Sequence, residues 1–388
     1  MPAIAVVSRR GEGRVQRGHP WVFRSDVARV DGAAPGTVVQ VLAASGRPLG
    51  YAFYSSRSEI TLRVIQRGPD LPPDWLRRKL EAALAWREAV APGASTCRLV
   101  HGEGDGLPSV VVDRYDRWLV VQTLSQAAEA LKDQIVSVLV ERLAPEGVLE
   151  RNDPRVRQLE GLEQRVGLLH GTIPDVVEVR EDGLRLQADL WRGQKTGLFL
   201  DQRENHVHAR QYARGRVLDA FSYTGGFALH MAGGAEEVLA VDVSPDALAR
   251  VQASAALNGL GARVTTRAAN VFDLLRDLQE RRERFHAIVL DPPAFAKSRE
   301  AVDKARRGYK EINLRALRLL EPGGTLITCS CSQHVHEEDF EQIVTDAARD
   351  AHATVALIEK RRQARDHPVL LGVPETYYLK CFVLRKLG

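Results

Sequence analysis

The chain has 388 residues, and at roughly 100–200 residues per domain this length predicts two or three domains. Its composition, with 44% hydrophobic and 27% charged residues, is typical of a soluble protein, and the absence of an apolar run of about 18 residues argues against a membrane span. The net charge is only +4, and the four cysteines are too few for a disulfide framework, which favours reduced thiols in the cytoplasm. The N-terminus also lacks the pattern of a signal peptide.

Residues 1–70 predict a small β-rich domain with an uneven charge. Short apolar stretches such as TVVQVLA, GYAFYS and EITLRVI alternate with Gly and Pro turns, the pattern of short strands. The region contains ten arginines, no lysine and five acidic residues, a net charge of +5, with aromatic residues interleaved. Guanidinium groups bind phosphates and flat rings stack on bases, so this composition favours RNA binding. A solvated face of a small β domain is an equally weighted alternative.

Residues 71–190 predict a central α+β domain. After the linker-like GPDLPPDW, the stretch DWLRRKLEAALAWREAV has apolar residues at helical spacing. A second helix is expected near residues 126–143, and SVVVDRY, WLVVQTL and LRLQADL predict strands. No motif in this region indicates a chemical role.

Residues 191–388 have the pattern of repeated strand–turn–helix units. Three units are RVLDAFSYTGGFALHMA, EVLAVDVSPDALARVQASAALNGL and RVTTRAANVFDLLRDLQ. FHAIVLDPP and GTLITCSCS predict two more buried strands, and ATVALIEKRR and TYYLKCFVLRK predict two closing ones. Such repeats predict an α/β fold, with a parallel sheet covered by helices on both faces and ligands at the carboxyl ends of its strands.

The loops after the first three of these strands suit S-adenosylmethionine (SAM). The first loop, DAFSYTGG, has adjacent glycines rather than GxGxxG, which disfavours a dinucleotide. Asp219 would face the positive methionine end, and Gly225 would let the backbone approach the ligand. Asp242 lies 23 residues after Asp219 and ends the second strand, at the position where a carboxylate binds ribose hydroxyls. Asn270 follows the third strand and could bond the adenine amine.

The predicted cofactor-binding residues of these loops are Asp219, Tyr223, Thr224, Gly225, Asp242, Val243, Asn270 and Val271. Gly and Asp also occur in such turns for structural reasons.

The fourth strand ends in the stretch DPPAF, which favours a nucleobase substrate. Two consecutive prolines stiffen the turn and could aim the Asp291 carboxylate and nearby carbonyls into the cleft. Asp-Pro-Pro followed by an aromatic residue resembles the motif of enzymes that methylate exocyclic amines of bases. The predicted substrate-binding residues are Pro292, Pro293, Phe295, Lys297, Arg306 and Arg307. Arg299, Lys304 and Lys310 extend this cationic cluster, for which a solvated charged helix is an equal alternative.

The fifth strand ends in LITCSCSQHVHEEDF, which suits a nucleophilic cysteine. Position C5 of cytosine is a poor nucleophile, but a thiolate that adds at C6 makes C5 able to take a methyl group. Cys331 lies at the strand end, where it could meet Asp291 of the neighbouring strand around one base, whereas Cys329 is expected to pack in the core. A metal site of Cys329, Cys331, His334 and His336 is disfavoured because the spacing is not C-x₂-C and one short stretch rarely wraps an ion, so no metal is predicted.

Together these motifs resemble the bacterial 23S ribosomal RNA cytosine-C5 methyltransferases of the RlmI/RlmO type over nearly the whole chain. GHPWVFRSDV followed by GYAFYS resembles the family's RNA-binding PUA domain, and ERNDPRVRQLEGL and QKTGLFLDQREN resemble its middle segments. DAFSYTGGFALHMA, VDVSPDAL, LDPPAFAKS and ITCSCSQ resemble its successive methyltransferase motifs.

The resemblance implies a Rossmann-like class I SAM-dependent methyltransferase sheet over residues 191–388 and a PUA-like domain over residues 1–70. It implies Cys331 as nucleophile, Asp291 at the base and Arg203 of FLDQR at the SAM pocket. It further implies 23S ribosomal RNA as partner and a cytoplasmic protein without a membrane, and a homodimer is compatible with it. The chain departs from the family at Asn270, where an acid is expected; an amide can still accept a bond from the adenine amine, but without the charge.

Three other functions stay open at this level. An amino-methyltransferase acting on N4 of cytosine or N6 of adenine would use the Asp-Pro-Pro motif, with Cys331 as packing. An RNA-binding ribosome-assembly factor would keep an inactive SAM fold, although the complete motif set argues against it. A protein or small-molecule methyltransferase would leave the arginine-rich N-terminal region unexplained.

Overall fold

The computed structural model describes residues 3–296 and 298–387, except for the side chain of Arg299. Contacts between residues divide the chain into two compact units. The N-terminal unit comprises Met1–Val177, Asp189–Gly197 and Arg365–Thr376, and the C-terminal unit comprises Glu178–Ala188, Leu198–Ala364 and Tyr377–Gly388. No helix in the described part of the chain is long and apolar enough to cross a membrane.

The N-terminal unit contains two sheets and several helices. Its strands are β1 (Ile4–Val7), β2 (Trp21–Phe23), β3 (Val27–Asp31), β4 (Val38–Ala43), β5 (Pro48–Tyr54), β6 (Ile60–Arg67), β7 (Thr96–His101), β8 (Val110–Tyr115), β9 (Trp118–Thr123), β10 (Gly147–Asn152) and β11 (Arg165–Gly171). Its helices are α1 (Arg9–Gln16), α2 (Trp75–Val90), α3 (Gln126–Ala130), α4 (Lys132–Leu143) and α5 (Val156–Leu159).

The first sheet has the strand order β2-β6-β5-β4-β1-β3, and the second has the order β11-β10-β9-β8-β7. In β4, VVQVLA, buried and half-buried residues alternate, because successive side chains of a strand point to opposite faces and only one face meets the core. The second sheet packs against α2 and α4 through Leu80 and Ile135, both fully buried. The β-rich start, the helix after the linker and the helical region near residues 126–143 are confirmed.

The C-terminal unit contains a hairpin and a large sheet. Its strands are β12 (Val177–Glu181), β13 (Leu184–Ala188), β14 (Arg216–Ala220), β15 (Glu237–Asp242), β16 (Val264–Ala268), β17 (Phe285–Leu290), β18 (Leu320–Ser330), β19 (Val355–Arg361) and β20 (Lys380–Lys386). Its helices are α6 (Arg203–Ala209), α7 (Gly226–Ala232), α8 (Pro245–Leu257), α9 (Val271–Glu280), α10 (Val302–Leu319) and α11 (Glu337–Asp350).

The large sheet has the strand order β16-β15-β14-β17-β18-β20-β19. The first five strands of this order are parallel, and β20 is antiparallel to both of its neighbours. The strand FHAIVL (β17) is buried along most of its length because helices cover both faces of the sheet. The predicted α/β fold is therefore confirmed. The order reverses between β14 and β17, and ligands bind at the carboxyl ends of strands beside such a switch point.

Candidate active site

The loop after β14 has a strained backbone that ends in a required glycine. Phe221 and Tyr223 have φ angles of 67° and 48°, a left-handed conformation that costs a non-glycine residue about 1–3 kcal/mol. Gly225, with φ 87°, precedes the first residue of α7. A Cβ atom at Gly225 would lie 3.1 Å from the methyl groups of Val251, so its backbone conformation and its surroundings both favour glycine.

Asp219 places a buried carboxylate beside this loop. Its Oδ2 atom accepts hydrogen bonds from the Ser222 hydroxyl at 2.6 Å and the Ala228 backbone N–H at 2.9 Å. Its Oδ1 atom is buried and has no hydrogen-bond partner among the residues that the structure describes. Burial raises the pKa of Asp219 to about 6, although its two hydrogen bonds oppose the shift. An unpartnered carboxylate oxygen of this kind fits the positive methionine end of SAM.

Asp242 joins the first loop to the end of β15. Its Oδ2 atom accepts a hydrogen bond from the backbone N–H of Tyr223 at 2.9 Å, and its Oδ1 atom accepts one from Ser244 at 2.9 Å. Each carboxylate oxygen can accept a second bond, so the side chain can also receive two ribose hydroxyls. Val243, the next residue, is 70% exposed. The structure thus brings Asp219, Tyr223 and Asp242 together, and their roles in cofactor binding stay predictions.

Asn270 and Val271 have structural tasks at the start of α9. The Asn270 side chain is the N-cap of the helix and accepts a hydrogen bond from the Phe272 backbone N–H at 2.9 Å. Asn and Asp are about equally good N-caps, so an amide in place of the expected acid keeps the helix start intact. Val271 is buried in the core. Contact of either residue with adenine stays a prediction.

The segment before α6 lies against the first loop. The rings of Phe199 and Tyr223 pack edge to face, with centroids 5.2 Å apart. Two residues later, the Asp201 carboxylate accepts a hydrogen bond from the Tyr378 hydroxyl at 2.9 Å. Arg203 begins α6 with its side chain 14% exposed. FLDQR therefore borders the loop, and the contact of Arg203 with SAM stays a prediction.

The loops after β17 and β18 meet at the neighbouring strand ends. The Cys331 thiol lies 3.9 Å from the carbonyl oxygen of Pro292, the residue that follows Asp291. The backbone N–H of Ala296 donates to the Ser332 hydroxyl at 3.1 Å, which ties the two loops together a second time. A thiol on one loop therefore lies beside the Asp-Pro-Pro turn of the other.

The two cysteines of the fifth strand differ in their surroundings. Cys329 is fully buried in β18 and is paired with Cys381 of β20. Burial, with Cys381 as a second cause, raises the pKa of Cys329 well above its usual value, so this thiol stays protonated. Cys331 lies just beyond the strand end and is half-buried. Cys329 has the environment of a packing residue, and Cys331 has that of a group that a ligand can reach.

Two residues that the sequence did not indicate, Lys380 and Tyr309, contact the Cys331 loop at Ser332. The buried ammonium of Lys380 donates to the backbone oxygens of Ser332 at 2.8 Å and Tyr378 at 2.9 Å. The hydroxyls of Tyr309 and Ser332 share a hydrogen bond of 2.9 Å. Tyr309 and Lys380 are far from Cys331 in the chain, so no local motif could have identified them.

The predicted substrate-binding residues divide by environment. Pro292 is buried and Pro293 is exposed. The half-buried ring of Phe295 lies in an aromatic cluster, with centroids 4.6 Å from Tyr309 and 5.9 Å from Phe272. Packing within the C-terminal unit therefore accounts for much of the Phe295 ring, and its stacking on a base stays a prediction.

The cationic cluster is partly paired with acids. Arg306 forms an ion pair of 2.7 Å with Asp339, and Lys310 forms one of 2.6 Å with Asp350. Lys304 and Arg307 are exposed on α10. Lys297 and the side chain of Arg299 lie outside the described residues.

Three metal-ligating side chains come together beside α7 rather than at the Cys331 loop. The ligand atoms of Glu181, His206 and His230 lie within 4.8 Å of one another. Glu181 Oε1 is 2.8 Å from His206 Nδ1 and 3.0 Å from His230 Nε2, and Arg210 donates to His230 Nδ1 at 2.9 Å. These hydrogen bonds satisfy the cluster as it stands. The position of the His206 ring also explains why residue 226 is a glycine, because a Cβ atom there would lie 2.3 Å from the ring.

Comparisons with known proteins agree with this arrangement. The family model of S-adenosylmethionine-dependent methyltransferases matches residues 117–383, and that of PUA-like domains matches residues 6–67. Ribosomal RNA large subunit methyltransferase I of Aliivibrio fischeri (strain MJ11) is 41% identical over 380 residues, 96% of each chain. The protein of the same name from Shewanella amazonensis is 42% identical over 383 residues, 96% of this chain and 97% of that one.

Among solved structures, SMU.776 complexed with SAH superposes with a TM-score of 0.84 over 98% of this chain and 99% of that chain, at 22% identity. This likeness supports the fold. The predicted PUA-like domain, the Rossmann-like methyltransferase fold and the SAM cofactor are therefore confirmed. The sheet order, the carboxylates at the ends of its first two strands and the matches along the chain lead to one conclusion: the chain belongs to the S-adenosylmethionine-dependent methyltransferase family.

Proposed function

We propose that this enzyme forms 5-methylcytosine in 23S ribosomal RNA through a covalent bond between Cys331 and C6 of the target cytosine. The relatives that match the whole chain are named for the large-subunit ribosomal RNA, which supports the class of substrate. The choice of C5 rests on one observation, the half-buried Cys331 thiol beside the Asp-Pro-Pro turn. A nucleophile is needed for methylation at C5 but not at an amine nitrogen.

In this proposal the loops after β14 and β15 hold the cofactor, which supplies an electrophilic methyl group. The Asp219 carboxylate faces the positive methionine end, and the Asp242 carboxylate accepts hydrogen bonds from the ribose hydroxyls. Ligand charge near Asp219 favours the ionised carboxylate, which burial otherwise disfavours.

The loops after β17 and β18 act on the base, which must leave its stack to enter the site. The Cys331 thiolate adds to C6, and the electrons of the C5–C6 double bond make C5 a nucleophile for the methyl group. Asp291 binds the N3/N4 edge and supplies a proton to N3 as negative charge develops there. A base then removes the C5 proton, the double bond re-forms as the thiolate leaves, and N3 returns its proton to Asp291.

The N-terminal unit supplies the PUA-like domain that the proposal assigns to RNA binding. Exposed arginines such as Arg9 and Arg57 are available to phosphates. Arg63 is not, because it is buried in an ion pair of 2.7 Å with Glu160. The number of arginines in residues 1–70 is therefore larger than the number whose charge is accessible to RNA phosphates.

Methylation of ribosomal RNA from a strain that lacks the gene tests the proposal. RNA treated with the enzyme and SAM is digested to nucleosides, which are separated by chromatography and identified by mass spectrometry. The proposal expects 5-methylcytidine. N4-methylcytidine has the same mass as 5-methylcytidine, so the two nucleosides must be distinguished by elution against standards. Formation of N4-methylcytidine or N6-methyladenosine instead of 5-methylcytidine would contradict the proposal.

The amino-methyltransferase is the second candidate because the Asp-Pro-Pro turn and Phe295 are also present. In that reaction Asp291 and the Pro292 carbonyl would hold the amine, and Cys331 would have no chemical role. The two candidates therefore differ in whether a covalent RNA–protein adduct forms.

A further inference from the structure

Lys380 is a buried cation that contacts the Cys331 loop at Ser332. It is the first residue of β20 and is 2% exposed. Its ammonium donates to the backbone oxygens of Ser332 and Tyr378, and no ion pair of Lys380 with a carboxylate occurs among the described residues. Burying an ammonium is costly unless an anion lies nearby, so the position calls for a negatively charged group.

The Cys331 thiol is the group that can supply this charge. Cys331 is bonded to Ser332, whose carbonyl oxygen lies 2.8 Å from the Lys380 ammonium. The Cys331 side chain is also held near the Pro292 carbonyl oxygen, at 3.9 Å. The antiparallel pairing of Ser330 with Lys380 brings the first residue of β20 to the end of β18.

Burial and the charged groups around Lys380 and Cys331 shift the pKa of Lys380 in opposite directions. Burial lowers the pKa of Lys380 to about 8, and negative charge on Cys331, Glu337 and Asp339 partly restores it. Burial raises the pKa of Tyr309, so its phenol stays neutral beside Cys331. An ordinary thiol has a pKa of about 8.5, and a cation close to a thiol lowers this value because it stabilises the thiolate.

We infer that Lys380 is the positioning residue that keeps Cys331 in its thiolate form. The inference rests on the proposed function, in which Cys331 is the nucleophile. One proton is released: the Cys331 thiol loses it to solvent, and the ammonium of Lys380 stabilises the thiolate that remains. When the thiolate leaves C6 at the end of the reaction, the same ammonium stabilises the leaving group.

Lys386 is a matched control on the same strand. Its ammonium also donates to two backbone oxygens, those of Leu317 at 2.9 Å and Leu320 at 2.8 Å, and burial also lowers its pKa. It lies at the opposite end of β20 from Lys380. Lys386→Met therefore removes similar hydrogen bonds without removing a charge near Cys331.

The test is the rate of Cys331 alkylation by iodoacetamide as a function of pH, read at this residue by mass spectrometry of the digested full chain. In the wild type the midpoint should lie below about 8.5, the ordinary value for a thiol. Lys380→Met should raise it by about one pH unit, which lowers alkylation at pH 7 about tenfold. Lys380→Arg should restore most of the wild-type rate, and Lys386→Met should leave the midpoint unchanged. Methyl transfer should follow the same order in kcat, with KM for SAM unchanged.

A wild-type midpoint at or above about 8.5 would overturn the inference without any variant, so it stays testable even if Lys380→Met does not fold. An unchanged midpoint in folded Lys380→Met would overturn it as well, because a lysine that only satisfies two carbonyls affects stability and not thiol chemistry. Alkylation does not depend on methyl transfer. If Lys380 controls the thiol but Cys331→Ser still methylates RNA fully, the proposed function fails and the inference about the thiol pKa stands.

Discussion

The carboxyl edge of the large sheet has two halves with different chemistry. After β14 and β15, buried and half-buried carboxylates accept bonds from backbone N–H groups and leave acceptor capacity for a ligand. After β17 and β18, a thiol lies among a carbonyl oxygen, a lysine and an aromatic cluster. The first half is built to hold a charged ligand in place, and the second has the groups for a covalent reaction.

This difference separates the effects of substitution. Contacts with the ribose and the methionine end matter about equally in the ground state and the transition state, so their loss should weaken binding and leave the saturated rate unchanged. Groups that bond only to the reacting base should change the rate. A substitution after β14 or β15 that lowered the saturated rate, or one after β17 or β18 that only weakened SAM binding, would contradict this division.

The largest effect is expected at Cys331. Cys331→Ser should retain the fold and SAM binding and lose methyl transfer by roughly 10³-fold or more, because a hydroxyl is a far weaker nucleophile at neutral pH. Cys329→Ser is the matched control: it should lower stability, since its hydroxyl would be buried between β18 and β20, and retain measurable activity. RNA methylation and SAM titration measure both. Inactive Cys329→Ser beside active Cys331→Ser would reverse the assignment.

The pH dependence of stability tests the buried carboxylate of Asp219. Because burial raises its pKa to about 6, ionisation destabilises the folded protein, and this group contributes more stability as the pH falls through 6. In the absence of SAM, Asp219→Asn should therefore be more stable than the wild type at pH 8, by up to about 3 kcal/mol, and the gap should shrink toward pH 5. Urea unfolding at the two pH values measures the gap, and a gap that widened on acidification would contradict this account.

A substitution at Asp242 tests whether the loops after β14 and β15 contribute to SAM binding and not to the reaction rate. Asp242→Ala should weaken SAM binding by on the order of 1.5–3 kcal/mol, the value of hydrogen bonds to a charged group. At saturating SAM the rate should be close to that of the wild type. Isothermal titration gives the dissociation constant and single-turnover methylation gives the rate, and an unchanged dissociation constant would remove Asp242 from the site.

The smallest effect is expected on the exposed face of α10. Arg307→Gln should weaken RNA binding a few-fold and reduce the slope of log affinity against log salt by about one, because one phosphate contact is lost. Arg315→Gln on the same helix is the control, since Arg315 is paired with Glu311 at 2.6 Å. Equal slopes for Arg307→Gln and the wild type would favour a solvated helix over an RNA contact.

Much of the sheet and its loops could be predicted because the signals are local. Each βα unit carries its own apolar strand and its own loop, so DAFSYTGG, DPPAF and TCSCS lie at the carboxyl ends of buried strands, as expected. Parallel order then brings their carboxyl ends to one edge.

The remaining features depend on contacts between residues far apart in the chain. Lys380 reaches Ser332 from the last strand, and Glu181 reaches His206 and His230 from the hairpin, so neither contact has a sequence motif. The capping of α9 by Asn270 could have been recognised from its position before an apolar helix. Arg63 shows the limit of composition, because its charge is neutralised by an acid 97 residues away.

The covalent step is the central claim, and RNA with 5-fluorocytosine at the target position tests it most directly. Fluorine cannot leave C5 as a proton does, so the thiolate cannot be expelled and the RNA stays attached. Wild-type enzyme and Cys329→Ser should each give an RNA–protein adduct that resists denaturation, mapped to Cys331 by mass spectrometry, and Cys331→Ser should give none. Full methylation of ordinary RNA by Cys331→Ser, with no adduct in any of the three proteins, would contradict the account and support the amino-methyltransferase.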